Sequence, residues 1–278
     1  MPSGACSCSN WLLLTGDRPI KHDPGIDMTW ILLRGLGREA RHWGDFTGKL
    51  AAHTGQQVIP LDLPGNGEYF LKPSPASVCA MLESARQQLH ERHVQAPFNL
   101  LGMSLGGMVA ASWAQEYPDE VGRLVLVNTS MRPFSLLSER LRPGNWPQLA
   151  GLTARWHDPG HAENIERLIH QLTCNRTTDR EADIAAWTDI RRSAPVSSSS
   201  AARQLWAAAR FSCAPAKPAC PVLVLSSNAD HLVHPLCSSR LAIAWQASHH
   251  QHPWAGHDLA HDDGEWVCTR ISAWITES

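Results

Sequence analysis

Apolar residues in this chain gather in short dense runs separated by longer stretches with helical spacing. Thr29-Trp-Ile-Leu-Leu33, Gln57–Leu61, Phe98–Met103, Arg123–Asn128 and Pro221–Leu225 are nearly continuous apolar segments. That is the pattern of strands buried on both faces. Ser248–Trp254 is polar enough to be an edge strand, and Trp11–Thr15 is a weaker strand candidate in an irregular stretch over 1–27. Between the runs the spacing changes. Trp43, Phe46 and Leu50 fall on one stripe that Gly55 ends, and Val78, Met81, Leu82, Ala85 and Leu89 form another behind a Ser77 cap. Strand alternating with helix predicts a mostly parallel sheet covered on both sides.

The rhythm breaks after Thr129. From Met131 to Cys213 no strand candidate occurs, but three helical patterns do. One carries Ile165, Leu168, Ile169 and Leu172. A second opens at Thr178-Asp-Arg-Glu181, which has the form of a capping box. A third follows Ser197–Ser200 and carries Leu205, Trp206 and Ala209. This predicts a core of residues 1–130 and 214–278 with a helical cap at 131–213. The alternative is that these helices pack beside the sheet, with Trp146, Trp156, Trp187 and Trp206 as core residues. Beyond them, Pro235 starts a helix, and Asp262-Asp-Gly-Glu265 is placed to cap a last one carrying Val267, Ile271 and Trp274.

Composition narrows the partners. The 278 residues carry a formal charge of −2 with no basic block, which argues against nucleic acid. No apolar run approaches the roughly 18 residues of a membrane span. The first residues lack a basic segment and Trp11–Leu14 is too short for a signal-peptide core, so a cytoplasmic location is expected. The eight cysteines then read as free thiols. Cys6-Ser-Cys8 has no second pair to complete a zinc site, and His250-Gln-His252 has no accompanying acid or thiol. No metal and no cofactor is expected, and a monomer or homodimer is.

The chemistry centres on Gly102-Met-Ser104-Leu-Gly106, a G-x-S-x-G turn between a buried strand and a small-residue helix. Such a bend lifts a serine hydroxyl out of the sheet top, and its glycines allow the two backbones to approach. A serine nucleophile needs a histidine to take its proton and a carboxylate to orient that histidine. Asp230 and His257 each follow a strand candidate, on the side where a parallel sheet collects its loops. Among the rival groups, Asp258 lies too close to His257 in sequence to face its ring, and Asp262 and Asp263 fit a helix cap. His231, His234, His249, His250, His252 and His261 read mostly as surface histidines.

With the order Ser104, Asp230, His257, and with Leu32-Leu-Arg-Gly-Leu36, Asp62-Leu-Pro-Gly-Asn-Gly67 and Ala255-Gly-His257-Asp-Leu259, the chain resembles the α/β-hydrolase superfamily, notably small bacterial carboxylesterases, including those acting on carrier-bound methyl esters. The resemblance implies an α/β-hydrolase fold: an eight-stranded, mostly parallel sheet flanked by helices, with a helical cap after the sixth strand. It implies Ser104 as nucleophile, His257 as general base then acid, Asp230 as orienter, and the backbone N–H groups of Leu36 and Leu105 as oxyanion hole. The expected activity is cleavage of small-molecule carboxylic esters of small to medium acyl chain. Thioester, lactone or C–C bond hydrolysis are alternatives on the same fold, and a non-catalytic ligand binder is one of another class. Two departures stand out. Arg34 replaces the usual histidine before Gly35, where it either anchors a substrate carboxylate or, as favoured here, pairs with a nearby acid. Asn66 replaces a histidine in a Gly-His-Gly loop and is expected to be structural.

Overall fold

The computed structural model describes residues 28–156 and 159–277. The candidate strand at Trp11–Thr15 and the Cys6/Cys8 pair lie outside the described residues. In chain order the elements are β1 (Trp30–Leu33), α1 (Phe46–Thr54), β2 (Val58–Leu61), α2 (Val78–Glu91), β3 (Phe98–Met103), α3 (Leu105–Glu116) and β4 (Val121–Val127). Then come α4 (Leu137–Arg140), α5 (Trp146–Arg155), α6 (Ala162–Thr173), α7 (Arg180–Ser193) and α8 (Ser198–Arg210) without an intervening strand. The alternation resumes with β5 (Val222–Ser227), α9 (Leu236–Trp245), β6 (Ser248–His252), α10 (Leu259–Asp262) and α11 (Gly264–Glu277).

The six strands form one sheet in the order β2-β1-β3-β4-β5-β6, with every neighbouring pair parallel. The register sets Leu33 opposite Gly102 and Met103 opposite Val127, so the strand ends that precede the functional loops share one rim. The expected count of eight is therefore six among the described residues, and the strandless helical segment follows the fourth described strand rather than a sixth.

Side chains alternate across the sheet as a period of two requires. Phe98 and Leu100 of β3 join a core with α2, α3 and α9, while Leu101 and Met103 join a second core with α1 and α11. Leu152, Trp156, Ile165, Val196 and Ala201 form a third cluster within the α5–α8 segment. Among the described residues no helix is long and apolar enough to cross a membrane.

Local signals explain most helix ends. The Ser77 and Ser197 hydroxyls accept from the third helical amides of α2 and α8, at 3.3 and 3.1 Å. The Thr178–Glu181 box does not form. Asp179 takes the cap position at φ 62° with no side-chain bond, and Glu181 instead binds Arg167 of α6. The Trp43–Leu50 stripe is likewise interrupted: a 3-10 turn over Ala40–Trp43 ends at Gly44, φ 55°, before α1 begins. Asp263 accepts from Trp266 N at the start of α11, as a cap does, but Asp262 faces away. Its carboxylate accepts from the amides of Asn175, Arg176 and Gly256, which joins the chain after α6 to the loop before α10.

Candidate active site

Ser104 sits at φ 54° and ψ −118°, a backbone state that costs a non-glycine residue about 1–3 kcal/mol. The surroundings leave the chain no other course. A Cβ on Gly102 would lie 2.5 Å from the Gly106 carbonyl oxygen, and one on Gly106 would lie 2.1 Å from that of Leu33. The Thr129 hydroxyl donates to the Ser104 carbonyl at 2.8 Å and holds the elbow to the end of β4. The serine is thereby presented at the N-terminus of α3, where the helix dipole and free amides favour negative charge.

Ser104, His257, Leu36 and Leu105 all line one cavity of about 570 Å³. Gly35 lies against the serine, since a Cβ there would be 3.2 Å from Ser104 Cβ. The amides of Leu36 and Leu105 are not taken by another group among the described residues. Asp230 stands behind the histidine: its Oδ2 is 2.7 Å from His257 Nδ1, and both residues are buried. Its Oδ1 accepts from the Leu232 and Val233 amides at 2.8 and 2.9 Å, so the carboxylate is fixed from both sides. Burial opposes a charged His257, but the charge and hydrogen bond of Asp230 outweigh it and raise the imidazole pKa above 6.5.

Asn128 and Asp258, which the sequence left without a role, support this loop. Asn128, at φ 45° just past β4, donates to the carbonyls of Gly256 and His257 and accepts from Ser227 N. It thus carries the histidine backbone on the ends of β4 and β5. Asp258 forms a two-pronged pair with Arg34 at 3.0 and 2.6 Å, buried on both sides. Arg34 is therefore spent on an internal acid, and it ties the Gly35–Leu36 loop to the His257 loop. Asn66 is fully buried and bridges the Arg38 carbonyl to Gln204 of α8, the structural part expected for it. Of the rival histidines, His252 is buried rather than superficial, 3.2 Å from Asp263, and His261 pairs with Asp183.

The α4–α8 segment supplies the far wall of the cavity with Trp146, Leu149, Leu152, Trp156 and Leu205. Trp156 and Trp187 are buried and Trp146 and Trp206 half-exposed, and of the four Trp146 and Trp156 line the cavity. Arg34, Arg38 and Arg140 also line the cavity. Arg38 pairs with Glu166 at 2.6 Å, but Arg140 has no carboxylate partner among the described residues. Its guanidinium donates to the Ala208 and Ala209 carbonyls in the last turn of α8, and its Nε is buried with no partner. Burial pulls its pKa down to about 10, which leaves it cationic at neutral pH.

A family model described as the alpha/beta hydrolase fold matches residues 31–263, and the chain belongs to that family of hydrolases. Among curated proteins it is 32% identical over 102 residues to a biotin biosynthesis bifunctional protein BioHC of Teredinibacter turnerae, covering 36% of this chain and 17% of that protein. It is 33% identical over 161 residues to a 2-hydroxy-6-oxononadienedioate/2-hydroxy-6-oxononatrienedioate hydrolase of Burkholderia vietnamiensis, covering 54% of this chain and 51% of that one. The chain thus spans about half or less of the curated relatives it matches. Solved structures share the fold along most of the chain. A thermophilic esterase of Thermogutta terrifontis superposes with a TM-score of 0.72 at 24% identity over 90% of each chain. The enol-lactonase of Burkholderia xenovorans does so with a TM-score of 0.73 at 18% identity, over 91% of this chain and 92% of that one.

Proposed function

We propose that this chain hydrolyses carboxylic esters of small to medium acyl chain through an acyl-enzyme. The observation that carries the proposal is the buried 2.7 Å bond between His257 and Asp230 at a cavity that the elbow serine Ser104 also lines. His257, held by Asp230, takes the Ser104 proton as the hydroxyl oxygen attacks the acyl carbon. The Leu36 and Leu105 amides receive the tetrahedral oxyanion. The protonated histidine then gives its proton to the leaving alcohol, and a water activated by the same ring releases the acid. Each oxyanion donor is worth about 3 kcal/mol of barrier in such sites. Residues 131–213 act as the cap that shapes the acyl pocket, a part supported by their share of the cavity lining. Cys174, Cys213, Cys220, Cys237 and Cys268 are buried thiols outside any disulfide, which supports a reducing, cytoplasmic setting.

Arg140 favours a refinement in which the substrate carries an anionic group at the end remote from the scissile bond. A buried cation without an acid is costly unless a ligand supplies one. Relatives named for dioate substrates keep C–C bond cleavage of such a compound as the second reading. The test is a substrate panel of p-nitrophenyl butyrate, thioesters, lactones, dimethyl esters and monomethyl esters of dicarboxylic acids. Ester hydrolysis is expected, with kcat/KM about tenfold or more higher for the half-esters, as a charged hydrogen bond of about 1.5–3 kcal/mol gives. Arg140→Met should erase that preference. Equal rates on half-esters and neutral esters would exclude Arg140 as an anion anchor, and turnover confined to C–C substrates would favour the second reading.

A further inference from the structure

Metal-ligating chemistry gathers at a second place, behind the histidine loop. His170 and Cys174 are four residues apart at the end of α6, so they share a helix face, and His261 of α10 turns toward them. One ligand atom from each lies within 4.8 Å of the other two. Asp183 of α7 closes a fourth side, its Oδ2 3.0 Å from His261 Nε2 and 3.9 Å from His170 Nε2. His170 is only 2% exposed, and its Nε2 has no hydrogen-bond partner. A buried ring nitrogen left unpaired and aimed at a thiol, an imidazole and a carboxylate is a group awaiting a ligand. Trp187 packs against both imidazoles, with ring centroids 5.4 and 4.9 Å away, and limits their rotation.

We propose that His170, Cys174, His261 and Asp183 form a structural zinc site. Two neutral imidazoles, a thiolate and a carboxylate are the borderline-soft, four-ligand set that zinc favours. Ligand atoms around tetrahedral zinc stand about 3.3–3.7 Å apart, so His170, Cys174 and His261 draw together by about 1 Å on loading, and Asp183 moves in beside them. The Cys174 sulfur gives its proton to solvent as the Zn–S bond forms, and the ion's two charges are then balanced by thiolate and carboxylate. Arg176 is the resident cation. Its Nη2 lies 3.3 Å from Asp183 Oδ2 and 3.5 Å from His261 Nε2, and its side chain is 35% exposed, so it must swing outward when the ion enters. Three elements would be stapled together where they already meet: Asp258 N donates to the Thr173 carbonyl at 2.7 Å. Zinc here would lock the end of α6 to the loop that carries His257.

Cobalt(II) titration of the full-length, metal-stripped protein tests this. One equivalent should produce a thiolate-to-cobalt charge-transfer band together with the visible spectrum of a tetrahedral ion, and zinc should displace it. Cys174→Ser should abolish the charge-transfer band, and His261→Asn should weaken binding by about tenfold or more. Arg176→Ala should tighten binding, because it removes the competing cation. Circular dichroism of each variant, Arg176→Ala included, separates lost ligation from lost folding. Absence of the band in folded parent protein would overturn the proposal. So would a band that survives Cys174→Ser, or one that disappears in a Cys6→Ser/Cys8→Ser variant, since the metal would then be elsewhere.

Discussion

Replacing Ser104 by alanine should lower turnover of p-nitrophenyl butyrate by about 10⁴-fold or more. The melting temperature should stay within a degree or two of the parent, at roughly 2–4 °C per kcal/mol for a chain of this size. The size of the first effect follows from the proposed chemistry. The oxyanion amides and the histidine act on a tetrahedral centre that exists only once the serine oxygen has bonded to the substrate. Without that bond they retain only their effect on attack by water. The constancy of the second follows from the elbow. Alanine adopts φ 54° at the same cost as serine, and the bend is set by Gly102, Gly106 and Thr129 rather than by the hydroxyl. Steady-state rates beside a thermal melt check both. Parental turnover in the variant would place the nucleophile elsewhere.

Replacing Asp258 by asparagine should destabilise the protein by about 3–5 kcal/mol, because it strands the buried Arg34 guanidinium. The readout is a lower urea midpoint at unchanged slope. Burial by itself opposes the Asp258 charge, but the Arg34 charge and hydrogen bonds outweigh it and hold the carboxyl at about 2. A carboxylate whose folded pKa lies below its unfolded value stabilises the fold above the unfolded value of about 3.9. That contribution is lost as pH falls from about 4 toward 2, and the Asp258→Asn protein should lack this component of acid sensitivity. A double variant Arg34→Met/Asp258→Leu should recover much of the loss, since neither charge is then buried. A midpoint unmoved by Asp258→Asn would mean that the pair does not hold the two loops together.

How far the chain could be read in advance depends on the range of the interactions involved. The central strands were legible because residues such as Ile31–Leu33 and Leu124–Val127 are apolar on both faces, a signal contained within the segment itself. The Ser104 elbow was legible because its glycines stand at fixed offsets from the serine, although Gly106 is required by the carbonyl of Leu33, 73 residues away. The order of Ser104, Asp230 and His257 along the chain pointed to a common rim, and Asp230 and His257 are in contact there. Partners distant in sequence were not legible. The acid that neutralises Arg34 lies 224 residues away, and the three amides held by Asp262 belong to two separated segments. Asp262 looked like a helix cap because adjacent Asp263 is one, and Thr178–Glu181 looked like a capping box until Glu181 found Arg167 on another helix. The isolation of Arg140 and the meeting of His170, Cys174 and His261 depend on how α4–α8 settle over the sheet, which no local pattern records.

The proposed activity rests on one hydroxyl made nucleophilic by one imidazole, and covalent labelling reads that property without a known substrate. Native protein treated with a fluorophosphonate probe should gain a single adduct, mapped by peptide mass spectrometry to Ser104, and His257→Ala should slow the labelling severely. Folded protein that stays unlabelled, or that carries the adduct on another residue, would contradict the account.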